Sequence, residues 1–209
     1  MTTLEPVPVV DESELEAGRR WRIDRPRAQR AASELLEALG ADLEDESLRE
    51  TPRRMVDGYA ELLTPTEFNP TTFANKDGYD ELVVAREIPF HSLCEHHLLP
   101  FVGVAHVGYL PGERIVGLSK LARVVELYAR SLQVQERLTT QIAGWLEREL
   151  NPKGVGVVLE AEHTCMTIRG VQKAGAHTVT SAMRGKLRED PRTRAEFLAL
   201  AGGRFDGRN

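Results

Sequence analysis

The sequence predicts an α+β protein: N-terminal helices, then an antiparallel sheet that carries a pair of helices. Two observations predict it. Apolar residues recur at three- and four-residue intervals early in the chain and again in its middle. Four β-prone stretches flank that middle block in pairs, which gives the order strand, strand, helix pair, strand, strand. The 209 residues suffice for one domain with a substantial core, and 41% hydrophobic with 28% charged residues is the balance of a folded chain.

Residues 1–23 mix Pro, Glu and Asp without periodicity and are read as a mobile N-terminal arm. Residues 24–80 form an N-terminal helical segment. Asp24 and Pro26 supply a cap and first turn, and Ala28, Ala31, Ala32, Leu35, Leu36 and Leu39 form a stripe that stops at Gly40. Thr51 and Pro52 start a second helix, whose stripe is Met55, Val56, Tyr59, Leu62 and Leu63, with Pro65 as the stop. Residues 81–209 hold the sheet. Its strands are expected at Leu82–Ile88, Phe101–Leu110, Val155–Ile168 and Ala176–Met183. Between the second and third, Ser119 is expected to cap a helix with Leu121, Val124, Val125 and Tyr128 on one face. After a break near Ser131–Gln133, Val134, Leu138, Ile142, Trp145 and Leu146 resume the period until Asn151 and Pro152. Asp190 and Pro191 open a closing helix through Phe197 and Leu200.

The net charge of -5, without a long run of Lys or Arg, argues against nucleic acid as a partner. No stretch has the length and apolarity of a signal peptide or a membrane span, so a cytoplasmic protein with no membrane contact is expected. The two cysteines, Cys94 and Cys165, lie far apart and each has histidine nearby, a pattern of metal ligation rather than of a disulfide scaffold.

Cys94-Glu95-His96-His97 puts a thiol and two imidazoles within four residues, and His163-Thr164-Cys165 adds two more donors. On a strand, residues two apart share a side, so His163 and Cys165 are expected to face one way. Zinc takes thiolate and imidazole; three protein ligands leave a catalytic position open, and four close a structural site. Spacing alone leaves both arrangements open for these five candidates. His91, His106 and His177 are read as ordinary histidines.

Ser119, Lys120 and Arg123 cluster at a helix start, where free backbone N–H groups attract phosphate, although the pattern is no Walker sequence and also fits a solvated helix start. Glu136, beside Gln135, falls in a first helical turn. There a carboxylate is favoured by the dipole alone, yet it also matches the adjacent N–H donors of a guanine edge. Arg169 follows Cys165 by four residues and can hold a phosphate or pair with a surface carboxylate.

Four runs together closely resemble the GTP cyclohydrolase I family: Ser92-Leu93-Cys94-Glu95-His96-His97-Leu98-Leu99-Pro100-Phe101, Gly117-Leu118-Ser119-Lys120-Leu121-Ala122-Arg123, Gln133-Val134-Gln135-Glu136-Arg137-Leu138-Thr139, and Glu162-His163-Thr164-Cys165-Met166 with Arg169-Gly170. Their order and intervals match as well, and the resemblance extends from about Thr51 to Leu200. It implies the tunnelling fold, in which sheets of several subunits join into a barrel. It also implies a homo-oligomer, a decamer of two stacked pentamers with active sites at subunit interfaces. By the same resemblance Cys94, His97 and Cys165 hold Zn2+, and His96 and His163 transfer protons. Glu136 with Gln135 reads the guanine, and Ser119, Lys120, Arg123, Arg169 and Arg54 hold the ribose and triphosphate. Two positions depart from the family pattern: Asp57, one turn after Arg54, and Ser131, each where basic residues occur in relatives.

The implied reaction adds water at C8 of GTP, releases that carbon as formate, and recloses the rearranged ribose to give 7,8-dihydroneopterin triphosphate, the first step of tetrahydrofolate and pterin synthesis. Three other readings compete. Another tunnelling-fold enzyme acting on a pterin or deazapurine is opposed by the full motif set, since fold alone does not fix function. A zinc nucleobase deaminase would need His-x-Glu and Pro-Cys-x-x-Cys, which are absent. A structural zinc protein or GTP-binding module would have its metal closed by His163.

Overall fold

The computed structural model of the protein describes residues 22–66 and 69–202, so most of the expected arm lies outside the described residues. Helix α1 (Arg25–Ala38) begins where Asp24 accepts a hydrogen bond from Arg27 N–H at 3.0 Å, with Pro26 in its first turn. Helix α2 (Thr51–Leu62) packs beside it and turns Val56 and Ala60 inward. Asp57 of α2 ion-pairs with Arg25 of α1 and, at 3.1 Å, with Arg53, so this departure from the family pattern has partners within the helix pair.

Strand β1 (Thr72–Ala74) pairs antiparallel with β4 (Arg114–Val116), a two-stranded ribbon too short to read from periodicity. The main sheet has the order β5-β2-β3-β6-β7, comprising β2 (Val83–Cys94), β3 (Pro100–Leu110), β5 (Leu132–Gln133), β6 (Gly154–His163) and β7 (His177–Gly185). All its pairs are antiparallel except β2 with β5. Strand β2 runs six residues past the expected end at Ile88. Proline is tolerated there because β5 covers that edge only at Leu93 and Cys94, and a bulge at Glu87 (φ 53°) absorbs the irregularity.

Helices α3 (Leu118–Ala129) and α4 (Gln135–Leu150) lie on one face of the sheet. The odd-numbered residues Phe101, Ala105, Val107 and Tyr109 of β3 and Val155, Val157, Leu159 and Ala161 of β6 meet Leu121, Val124, Val125, Leu138, Ile142 and Leu146, all fully buried. Each Val, Leu, Ile or Phe side chain among them contributes about 1.5–3 kcal/mol by leaving water. The cap of α3 is Gly117, not Ser119, which therefore sits inside the first turn with its hydroxyl exposed. Asn151 closes α4 in the left-handed region (φ 44°), as expected of Asn at a helix end.

The expected third strand ends early. The chain leaves β6 at His163 and makes a single helical turn, α5 (Thr164–Thr167), anchored where the Thr164 hydroxyl donates to Pro100 O at 2.5 Å. Cys165 is therefore on a turn, and the strand-parity reason for grouping it with His163 does not apply. After β7, a short α6 (Lys186–Glu189) leads into α7 (Pro191–Ala201), capped by Asp190, which accepts from Arg192 and Thr193 N–H. Phe197 of α7 covers the other face of the sheet on Gly108 and Gly156. No helix among the described residues is long and apolar enough to cross a membrane.

Candidate metal centre and its surroundings

Strand β2 delivers Cys94 to a tight turn. His97 N–H and Leu98 N–H donate to Cys94 O at 3.3 and 2.9 Å, and Leu98 takes φ 56° to reverse the chain. The fold lays the His97 imidazole beside the Cys94 thiol, with Sγ to Nδ1 at 3.7 Å. On the adjacent strand pair, the helical turn after β6 brings up Cys165. The donor atoms of Cys94, His97 and Cys165 all lie within 4.8 Å of one another, and this is the only such group of three among the described residues.

Two sulfurs and a nitrogen at this spacing suit zinc. Tetrahedral Zn–S and Zn–N bonds of about 2.3 and 2.0–2.1 Å require donor separations of roughly 3.5–3.8 Å, close to the Cys94–His97 distance. Burial, and then the neighbouring Cys94, push the Cys165 thiol above its ordinary pKa, while Arg169 pulls it down. Two thiols facing each other resist becoming thiolates unless a cation sits between them, which is what a ligated metal provides.

His96 and His163 stay outside the triad. His96 Nδ1 is 3.9 Å from the Cys94 sulfur, but the ring is exposed. His163 continues the core-facing series of β6, opposite Phe101, and stacks on its ring with centroids 4.5 Å apart and planes 7° apart. Burial pushes the His163 pKa down, and the Glu136 carboxylate opposes that shift. Its Nε2 lies 2.8 Å from Gln135 Oε1.

Gln135 is 2% exposed and its amide is fully engaged. Its Nε2 donates to Leu159 O (3.1 Å), Thr178 O (2.9 Å) and Thr180 Oγ1 (3.1 Å). Two of these partners are carbonyls that can only accept, so the amide nitrogen must face them and the oxygen must face His163. The His163 Nε2 therefore carries the proton in this bond. The Gln135 side chain is thus turned into the protein, whereas Glu136, next to it in the first turn of α4, is exposed.

The expected phosphate residues lie on three separate parts of the chain. Ser119, Lys120 and Arg123 sit in the first two turns of α3, and Ser119 and Arg123 are exposed. Arg123 also lines a cavity of about 440 Å³ between β2 and α3, together with His91, Glu126 and Arg130. Arg169 is exposed just beyond α5, and Arg54 is exposed on α2. Helix α2 approaches the ligand turn, where Tyr59 Oη donates to Leu98 O at 3.4 Å. Sequence reasoning missed Arg137, which donates to Glu95 of the ligand turn. Its position three residues into a helix gave no chemical hint, because its partner lies 42 residues away.

The sequence pattern of the GTP cyclohydrolase I family matches residues 28–202. Among curated relatives, the GTP cyclohydrolase 1 of a Synechococcus strain is 52% identical over 185 residues, covering 85% of this chain and 80% of that protein. The GTP cyclohydrolase 1 of Aquifex aeolicus is 50% identical over 181 residues, covering 87% and 98%. That of Streptomyces avermitilis is 54% identical over 184 residues, covering 85% and 90%.

Proposed function

The chain belongs to the GTP cyclohydrolase I family, and from that premise we propose that it hydrolyses GTP to 7,8-dihydroneopterin triphosphate and formate with zinc bound by Cys94, His97 and Cys165. The observation that supports this reading is the convergence of three donors, two thiols and an imidazole, in a group that does not include His96 or His163; three protein ligands would leave a catalytic position open. When bound, zinc supplies Lewis acidity and lowers the pKa of water toward neutrality.

The chain's own residues do the rest. Exposed Glu136 accepts two N–H bonds from the guanine pairing edge, which adenine cannot offer. His163, held by Gln135 and Phe101, presents Nδ1 to exchange a proton with the opening imidazole ring of the substrate, and exposed His96 serves the same transfer. Gln135 enters this scheme through His163, not by touching the base. Ser119, Lys120, Arg123, Arg169 and Arg54 bind the ribose and triphosphate, the first three around a helix start whose N–H groups favour anions.

The same reading places the protein in the cytoplasm, where reducing conditions keep Cys94 and Cys165 available as ligands. It also makes the protein a homo-oligomer of two stacked pentamers. Exposed Val102, Ile168, Val171 and Val179, at 47%, 69%, 62% and 50%, and the edge of β7, uncovered among the described residues, support burial against other copies of the chain. The product then supplies tetrahydrofolate or pterin synthesis.

The test is to strip the protein with a chelator, restore zinc, and follow formate and oxidised-pterin fluorescence from GTP at each stage. Both products should vanish on stripping and return with zinc. Turnover unaffected by complete metal removal would refute the assignment.

A further inference from the structure

Glu95 and Arg137 do none of the chemistry assigned above, yet they join its two halves. The ligand turn is tied to the segment entering α4 by backbone: Cys94 pairs in parallel with Gln133, and Glu95 N–H donates to Gln133 O at 3.0 Å. Arg137 then reaches back from the first turn of α4. Its Nε donates to Gln133 Oε1 at 3.0 Å, and its Nη2 donates both to Leu132 O at 2.9 Å and to the Glu95 carboxylate.

The acceptor end of this fork is itself fixed. Gln133 is 3% exposed, and its Nε2 donates to Tyr128 O at 2.9 Å and Gln141 Oε1 at 2.8 Å, so its amide oxygen is committed to Arg137. The Glu95 and Arg137 side chains are each 32% exposed, and a partly solvated pair of this kind adds little to global stability. Geometry is what it offers. Glu95 follows the ligand Cys94 directly, and Arg137 follows the base-reading Glu136 directly. A purine is a rigid plate whose pairing edge and C8 lie at opposite ends, so the distance from Glu136 to the metal triad has to match that plate.

We propose that the Glu95–Arg137 pair is a positioning device that holds the Cys94–His97 turn in its metal-ready shape and sets the separation between the triad and Glu136. The second half of this statement rests on the cyclohydrolase reading; the first half does not. The device needs the planar guanidinium, which engages three acceptors from one side chain. A lysine supplies the charge without the fork.

The experiment measures zinc affinity by competition with a chromophoric chelator, using full-length metal-stripped protein. The variants are Glu95→Gln, Arg137→Met, Arg137→Lys and the Glu95→Gln/Arg137→Met double variant, with thermal unfolding as a check of folding. Each single variant, the lysine one included, is expected to weaken zinc about 10–100-fold, as loss of an outer partner of a ligand does. The double variant is expected to be no worse than the weaker single variant, because the two residues act as one unit. At saturating zinc, the singles should also lose about 100-fold in kcat, with a smaller change in KM, through misalignment. Single-variant affinities within about 2-fold of wild type, losses that multiply in the double variant, or full rescue by Arg137→Lys would each overturn the proposal. The zinc arm needs no GTP. If the wild type released no formate, the cyclohydrolase reading would fail while the affinity cycle still decided whether the pair shapes the ligand turn.

Discussion

His163 sits at the end of β6 between the ring of Phe101 and the amide of Gln135, close to the triad but bonded elsewhere. Cys165→Ser should therefore lose zinc and turnover together, whereas His163→Ala should keep close to one zinc per chain and lose about 10²–10⁴ in kcat. Elemental analysis of the two purified variants separates the roles, and a metal-free His163→Ala protein would make that histidine a ligand. Glu136→Ala should weaken GTP binding by about 10–100-fold, the worth of hydrogen bonds to a charged group, with zinc content unchanged. Equilibrium binding to the zinc-loaded variant checks this, and unaltered affinity would remove Glu136 from base recognition. All five metal-site candidates were visible in the sequence, but spacing could not rank them. His96 and His97 are neighbours, and only the turn at Leu98 (φ 56°) shows which ring meets both sulfurs. Gln135 was singled out beside Glu136, but its burial depends on carbonyls of β6 and β7 that no local pattern reveals.

At the scale of elements, the β-prone runs of β3 and β6 and the stripes of α3 and α4 were legible, because the layer between them is built from apolar residues. What was not legible came from tertiary contacts: the extension of β2 through Pro89, the β1–β4 ribbon, and the turn that ends β6 before Cys165. The opposite face of the sheet depends on glycine. A Cβ added at Gly156 would lie 2.7 Å from Leu187 Cδ2 and 2.7 Å from Phe197 Cε1. Gly156→Ala should accordingly destabilise the protein by about 1–3 kcal/mol through overpacking. Denaturant unfolding of the zinc-loaded protein measures it. A variant as stable as wild type would mean that α7 shifts away without cost.

The whole molecule places its metal centre at the end of the sheet where β2 and β6 finish and β3 begins, and among the described residues it leaves apolar side chains and the β7 edge uncovered. A chain built this way is expected to assemble, and light scattering should return about ten times the mass of one chain. A monomer with full activity would contradict both the decamer and the sharing of sites between subunits. The fold class and the family motifs were read from one sequence because the motifs fall on the ends of elements. The oligomer was reached only through resemblance, since no periodicity encodes how copies meet. The central claim is that this protein, with its triad holding zinc, would release C8 of GTP as formate. Zinc-loaded protein given GTP labelled at C8 should release labelled formate in step with pterin formation; unlabelled or absent formate from an intact, zinc-loaded assembly would contradict the account.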